Sequence, residues 1–354
     1  MESHRKSARF DLLDGMRGLA ALAVISDHVS SATIEALLPG RYLAVDFFFV
    51  LSGFVLAHAY SARLQRGGAW ASFMMARIVR LYPLYLLGAA LGGALIWLHI
   101  AAGWNTSISQ SQLWTSALLA LFMLPCPPQL SLWPGAPYPL NGPSWSLFFE
   151  LVANAVMGVL GRNLTPRVCL VLMALGAVGL VPTSFYFGQL DGGFDWANFV
   201  AGFPRVIFSF FAGVWIYHSG IYARVRALPA WAAAAALAGV FMVPADGVWR
   251  SAFDLLAVLA IFPLLVTFCA GTALRGPVRA LASTIGLLSY GVYILHVPLW
   301  GWLKVIMSRY AIEAPGYVDV GIAVVAALSV AAVADAVYDK PVRRWLSGLS
   351  AGRS

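Results

Sequence analysis

The sequence predicts an all-α membrane protein, a polytopic helix bundle of about ten transmembrane helices, and three observations carry that prediction. Of 354 residues, 60% are hydrophobic and only 11% are charged, whereas soluble domains carry roughly a quarter charged residues. Apolar runs of bilayer-spanning length recur along the chain. The basic residues divide unevenly between the segments that join those runs. A soluble protein of this composition would lack the polar side chains to cover its surface, so the length reads as one bundle with short loops and not as two soluble domains.

About 20 helical residues cross a hydrocarbon core of about 30 Å. Runs of that kind cover residues 16–38, 42–61, 81–102, 144–161, 168–185, 199–219, 230–243, 251–271, 283–307 and 318–336, of which 230–243 is the shortest. A further apolar run, 113–124, is too short to cross. It lies between Trp104-Asn105-Thr106 and the proline-rich stretch 125–143, and reads as a re-entrant or interfacial segment.

With ten spans and the N-terminus inside, the inner segments hold Arg5, Lys6, Arg9, Arg17, Arg63, Arg66, Arg77, Arg80, Arg162, Arg167, Arg224, Arg226, Arg275, Arg279, Lys340, Arg343, Arg344 and Arg353. The outer side holds Arg41, Arg205, Arg250, Lys304 and Arg309, so the 23 basic residues divide 18 to 5. This is the positive-inside bias. A full span at 113–124 would invert everything after it and move many of these bases outside. Both termini are therefore expected in the cytoplasm, with the protein in the cell inner (plasma) membrane. The net charge of +8 is an inner-leaflet signature and needs no nucleic-acid partner.

The membrane domain is expected over residues 1–345, with a short cytoplasmic tail at 346–354 and no fused soluble domain. The first apolar run has no small-residue cleavage site and is too long for a signal peptide, so it should be retained. Cys126, Cys169 and Cys269 are scattered, with neither metal-ligand spacing nor a disulfide framework. The chemistry must lie within the bundle or at its faces.

Ionisable residues inside spans are costly and usually functional. Arg17 and His28 of the first span lie eleven residues apart. That is about 20° past three full turns, so they share a face, with about 16 Å between them along the axis. Arg17 is either an interfacial anchor or a ligand for a cytosolic anion. His28 is either an interhelical hydrogen-bonding group or a base. In the second span Asp46 stands in an aromatic run and needs a partner, and Ser52-Gly53 admits close approach by a helix or a ligand. Arg77 and Arg80, three apart on one face before the third span, suit phosphate groups or anionic lipid. The fourth span begins Pro143-Ser144-Trp145-Ser146, a favourable helix start, with Glu150 about 16 Å from the inner end. In the ninth span Tyr293 and His296 share a face. His28 and His296 fall about 18 and about 20 Å from the inner end. Three titratable groups on three spans thus lie at similar depth, and one polar cavity could hold them all.

Five stretches in order resemble the acyltransferase-3 family of membrane-bound O-acyltransferases: LLDGMRGLAALAVISDH (12–28), VDFFFVLSGFVLAH (45–58), RIVRLYPLY (77–85), PSWSLFFE (143–150) and SYGVYILHVP (289–298). The ending Asp339-Lys340-Pro341-Val342-Arg343-Arg344-Trp345 is similar to the family's acidic-x-Pro tail, with Asp339 where Glu is usual. The resemblance covers nearly the whole chain. It implies about ten spans and transfer of an acyl group, often acetyl, from cytoplasmic acyl-CoA to a hydroxyl of a carbohydrate or other small molecule. Its expected partners are acyl-CoA (acetyl-CoA) as donor substrate, that acceptor and the lipid bilayer, with no metal.

On this reading Arg17, Arg77 and Arg80 hold the coenzyme phosphates, and His28 is the general base. Asp27 points about 100° away from His28, so Glu150, the second expected catalytic residue, or Asp46 orients it from another span. Asp46, Ser52, Trp145, Ser146, Tyr290, Tyr293 and His296 are expected to bind substrate. Ser289, Tyr290 and Tyr293 either bind the acceptor or stabilise an oxyanion. The alternative is a transporter or flippase of a sugar-lipid or polysaccharide precursor, since buried charges also mark transport paths. Against it, no inverted repeat of motifs is present, and the arginines cluster where a cytosolic phosphate would dock.

Reporter fusions after Gly67, Arg162 and Arg224 should all report cytoplasm. An external report at Arg162 would mean that 113–124 crosses the bilayer.

Overall fold

The structure, a computed structural model, describes residues 10–29, 32–104, 107–312 and 315–351. Arg5, Lys6, Arg9 and Arg353 of the inner-side count lie outside the described residues, as do Ser30 and Ser31 of the first expected span and Asn105 and Thr106. Every regular element among the described residues is helical, the outcome expected for a chain that must satisfy its backbone groups within lipid.

Asp11 and Asp14 in the first turn complement the dipole of α1 (Asp11–His28). This helix ends ten residues before the limit expected from hydropathy, and the rest of that run forms a separate short helix, α2 (Ala32–Leu37). A 3-10 turn at Arg41–Leu43 leads into α3 (Ala44–Gln65). α4 (Trp70–Ala101) begins earlier than expected, so Arg77 and Arg80 lie within the helix and not ahead of it. The run at 113–124 forms α5 (Gln110–Leu121), started by a capping box of Ser109 and Gln112. Its twelve residues, about 18 Å of helix, pack along α4.

Next come α6 (Ser144–Leu160), α7 (Pro166–Phe187), α8 (Gly202–Ser219) and α9 (Ala230–Met242). α10 (Gly247–Leu256) continues through a π-helical turn at Ala257–Ile261 into α11 (Phe262–Cys269). α12 (Gly276–Arg309) precedes α13 (Gly316–Ala334), which continues through a second π turn at Asp335–Asp339 into α14 (Lys340–Ala351).

Eight helical stretches among the described residues are long and apolar enough to cross a bilayer. The other two of the ten expected spans are α1, which carries Asp11, Asp14, Arg17 and Asp27, and α9, with 13 residues. α9 is nevertheless tied to the bundle at both ends. At one end the Leu228 amide donates to Phe268 O (3.1 Å), and at the other the Gly40 amide donates to Phe241 O (2.9 Å).

Two helix pairs form the frame of the bundle, and small residues set both. A Cβ at Gly18 of α1 would lie 2.5 Å from Ile285, and one at Gly286 of α12 2.6 Å from the Asp14 carbonyl. A Cβ at Gly53 of α3 would lie 1.9 Å from Phe210 O, and one at Gly213 of α8 2.0 Å from Val50 O. Small residues let helix backbones approach where water supplies no driving force between lipid-facing surfaces. Of the two readings open for Ser52-Gly53, Gly53 thus serves helix packing. Both pairs run parallel: Asp14 lies by Gly286 and His28 by His296, while Asp46 pairs with Arg205 and Ser61 with His218.

Gly53→Ala should destabilise the folded protein by about 1–3 kcal/mol or more through overpacking against backbone. Gly239→Ala on α9, where a Cβ meets nothing within 4 Å, should be neutral. Thermal midpoints of the two variants in detergent compare them directly.

Candidate active site

Arg77 and Arg80 project from one face of α4 because they are three residues apart. With Arg17 of α1 they line a cavity of about 210 Å³ between α1, α3, α4, α6 and α12. Three guanidiniums and one carboxylate, Glu150, line the cavity, while Asp14 and Asp339 pair with Arg17 and Arg80 from outside the lining. Arg77 Nη2 donates to Glu150 Oε1 at 3.0 Å, and Ser52 Oγ donates to the same oxygen at 2.6 Å. Arg17 Nε donates to Ser289 Oγ (2.9 Å), and its Nη2 donates to Gly286 O and to Asp14 Oδ1, both at 2.8 Å. The Arg80 guanidinium lies 5.6 Å from the centre of the Tyr290 ring and 3.7 Å from Asp339 Oδ2. Tyr290 is held in turn by donation to Leu81 O (2.5 Å). Asp339 is 1% exposed and also takes Arg343 at 2.6 Å, which ties the C-terminal helix to the cavity wall.

The cavity ends at Tyr293 and Ser146, whose hydroxyls are 2.7 Å apart. One turn further along α12 lies the His296 ring, its centre 6.1 Å from that of Tyr293. His296 Nε2 is 3.1 Å from His28 Nδ1. His296 is buried, while His28 is exposed at the end of α1. Beside it Arg41 Nε pairs with Asp27 Oδ1 at 2.9 Å. Arg17 and His28 both contact α12, as their shared helix face requires.

Nine of the residues singled out from sequence line this cavity: Arg17, Ser52, Arg77, Arg80, Ser146, Glu150, Ser289, Tyr290 and Tyr293. Four do not, and the packing gives the reasons. His28 and His296 lie past the Tyr293–Ser146 contact. Asp46 is fully buried and forms a two-pronged pair with Arg205, at 3.1 and 2.6 Å. Trp145 lies under the same guanidinium at 5.3 Å. The orienting carboxylate expected for His28 is neither Asp46, held by Arg205, nor Glu150, held by Arg77 and Ser52; the group touching His28 is His296. Nor does His296 offer an edge to substrate, because both ring nitrogens are engaged, Nδ1 at 2.7 Å from Tyr293 O.

Arg205 was placed by sequence among the outer bases. It is 0% exposed, and it also donates to Gly192 O and Tyr42 O. The signal that could have found it is its position inside the run 199–219, where a charge demands a partner of the opposite sign.

The comparisons with known proteins bear on this arrangement. The profile of the acyltransferase-3 family, an acyltransferase domain, matches residues 10–338. The chain belongs to the acyltransferase-3 family. It is also similar to the protein described as "Protein 2 in picA locus" of Rhizobium radiobacter, at 40% identity over 192 residues, covering 51% of this chain and 96% of that protein. No solved structure matches. The protein is therefore a membrane acyltransferase with an all-α bundle, and the described cavity and histidine pair lie within the residues the acyltransferase-3 profile covers.

Removing one partner of a buried ion pair leaves an uncompensated charge, at a cost of about 3–5 kcal/mol. Asp46→Ala and Arg205→Ala should each lower the thermal midpoint sharply, while Asp46→Leu combined with Arg205→Met should recover most of the loss. A destabilised double variant with intact single variants would assign the pair a role other than packing.

Proposed function

We propose that the protein transfers an acyl group, in the first instance acetyl, from cytoplasmic acyl-CoA to a hydroxyl of a glycan or other small acceptor. The observation that carries this reading is the order of groups across the bundle: an arginine-lined cavity at one end, the Tyr293–Ser146 contact, then an imidazole exposed at the other end. Arg17, Arg77 and Arg80 suit phosphates, which planar guanidiniums bind by charge-assisted hydrogen bonds. Glu150 and Ser52 fix Arg77 in the cavity, so Glu150 acts as a positioning group in place of the catalytic role expected for it. The donor's uncharged acyl arm runs from these arginines toward His28, a span of about 16 Å along α1.

At His28 the acceptor enters from the opposite mouth. His28 Nε2 removes the proton from the acceptor hydroxyl as its oxygen attacks the thioester carbonyl carbon. Tyr293 and Ser146 lie on the path of the carbonyl and supply hydroxyl donors for the developing oxyanion. The intermediate collapses with cleavage of the carbon–sulfur bond, and the proton on His28 passes to the departing thiolate. The products are an acyl ester and free coenzyme A.

Ten crossings with both termini on the arginine side accord with the helix directions. α3 and α8 run parallel with α4, α6 and α7 between them in sequence, which requires that α5 does not cross. With α9 counted as a further crossing, this favours the arrangement read from the basic residues, with the cavity open to the cytoplasm of a plasma-membrane protein.

Membranes containing the protein, incubated with acetyl-labelled acetyl-CoA, should pass label to an extractable glycan or small molecule. Arg77→Ala should raise the donor KM with little change in kcat, because it removes a binding contact remote from the reacting carbon. His28→Ala should lower transfer by about 100-fold or more while coenzyme A still binds. Export of a glycan precursor with no label transferred would favour the transporter instead.

A further inference from the structure

The hydrogen bonds around the two histidines fix where their protons lie. His296 Nδ1 faces two backbone carbonyl oxygens, Tyr293 O at 2.7 Å and Val292 O at 3.2 Å. A carbonyl oxygen only accepts, so Nδ1 of His296 carries the proton and Nε2 carries the lone pair. That lone pair points at His28 Nδ1, 3.1 Å away. The other neighbour of His28 Nδ1 is Val24 O at 3.4 Å, again an acceptor. Both neighbours therefore require the proton of a neutral His28 on Nδ1, which leaves the lone pair on Nε2. Among the described residues no hydrogen bond engages that Nε2, and the side chain is exposed.

We propose that His296 is the positioning residue of the reaction: through its Nε2 it holds His28 in the Nδ1-protonated tautomer and directs the basic nitrogen at the acceptor. The inference rests on His28 as base and adds the means by which the base is set. The role is one that a carboxylate or carbonyl fills elsewhere, since the partner of one ring nitrogen decides which nitrogen is basic. Here a second, neutral imidazole fills it, anchored by the backbone of its own helix. The partner remains uncharged, so it can occupy a buried site where a carboxylate would need a counter-ion. It still accepts a hydrogen bond from the imidazolium formed when His28 takes the acceptor's proton.

The test uses label transfer from acetyl-CoA in membranes, with binding of free coenzyme A to the detergent-purified protein as the measure of folding. His296→Leu has no acceptor for His28 and should lower transfer by at least about tenfold at unchanged coenzyme affinity, within the range that base catalysis contributes. His296→Gln carries a carbonyl to accept and an amide to donate, and should recover to within about fivefold of the parent. In the His28→Ala background His296→Leu should have no further effect, because the residue acts only through His28. Should the Leu variant not insert, His296→Phe, closer to the ring in shape, carries the same expectation. The proposal is overturned if His296→Leu or His296→Phe retains the parent rate. It is equally overturned if Gln falls as far as Leu, or if the Leu substitution is fully additive with His28→Ala. Parent-level transfer by His28→Ala itself would instead overturn the assignment of the base.

Discussion

Gly18 meets Ile285 and Gly286 meets Asp14 with no room for a methyl group between them, and this closeness of α1 and α12 governs the geometry of the site. In water, burial of apolar surface would drive such a contact; in lipid it depends on packing and on polar links. The polar links here are the ones the chemistry uses. Arg17 reaches Ser289 and the carbonyl of Gly286, and His28 reaches His296. Eleven residues separate the two groups on α1 and seven separate their partners on α12. The length of the arginine side chain takes up the difference, so an anion-binding group and an imidazole are held at fixed spacing along one seam.

Charge inside the bundle is managed in two ways. Arg205 is fully enclosed, paired to both oxygens of Asp46 and satisfied by carbonyls. Near it Arg250 pairs with Asp254, whose second oxygen accepts from Tyr42 and from the Leu190 amide. These groups are enclosed and committed to one another, and their worth is in joining α3, α8 and α10. Arg17, Arg77 and Arg80 are each partly exposed, take one carboxylate each and open onto a void. Unspent hydrogen-bonding capacity, rather than burial, separates a binding arginine from a structural one.

Much of this was legible in the sequence because the bilayer imposes simple rules. The apolar runs and the short run at 113–124 followed from hydropathy, the shared face of Arg77 and Arg80 from helix periodicity, and most of the other residues that line the cavity from the family resemblance. What escaped were pairings between helices. Depth alone placed Glu150 and His28 together, yet lateral position, which periodicity cannot supply, put Glu150 on Arg77 and His296 on His28. Asp46 stands out as needing a partner, but Arg205, near the start of the run 199–219, counts by its place with the outer-side charges. The C-terminal Asp339 stood out only as a motif; its link to Arg80 depends on a π turn that no hydropathy pattern announces.

The hydroxyl contact between Tyr293 and Ser146 has an electrical side as well. The guanidiniums suited to phosphates lie on one side of it and the exposed imidazole on the other. Moving one elementary charge through the full membrane potential involves about 2.3 kcal/mol per 100 mV. On the proposed reading the charged head of the donor never makes that journey, and only an uncharged acyl arm passes the narrow layer. The transfer is then electrically silent, with no net charge carried across the narrow layer.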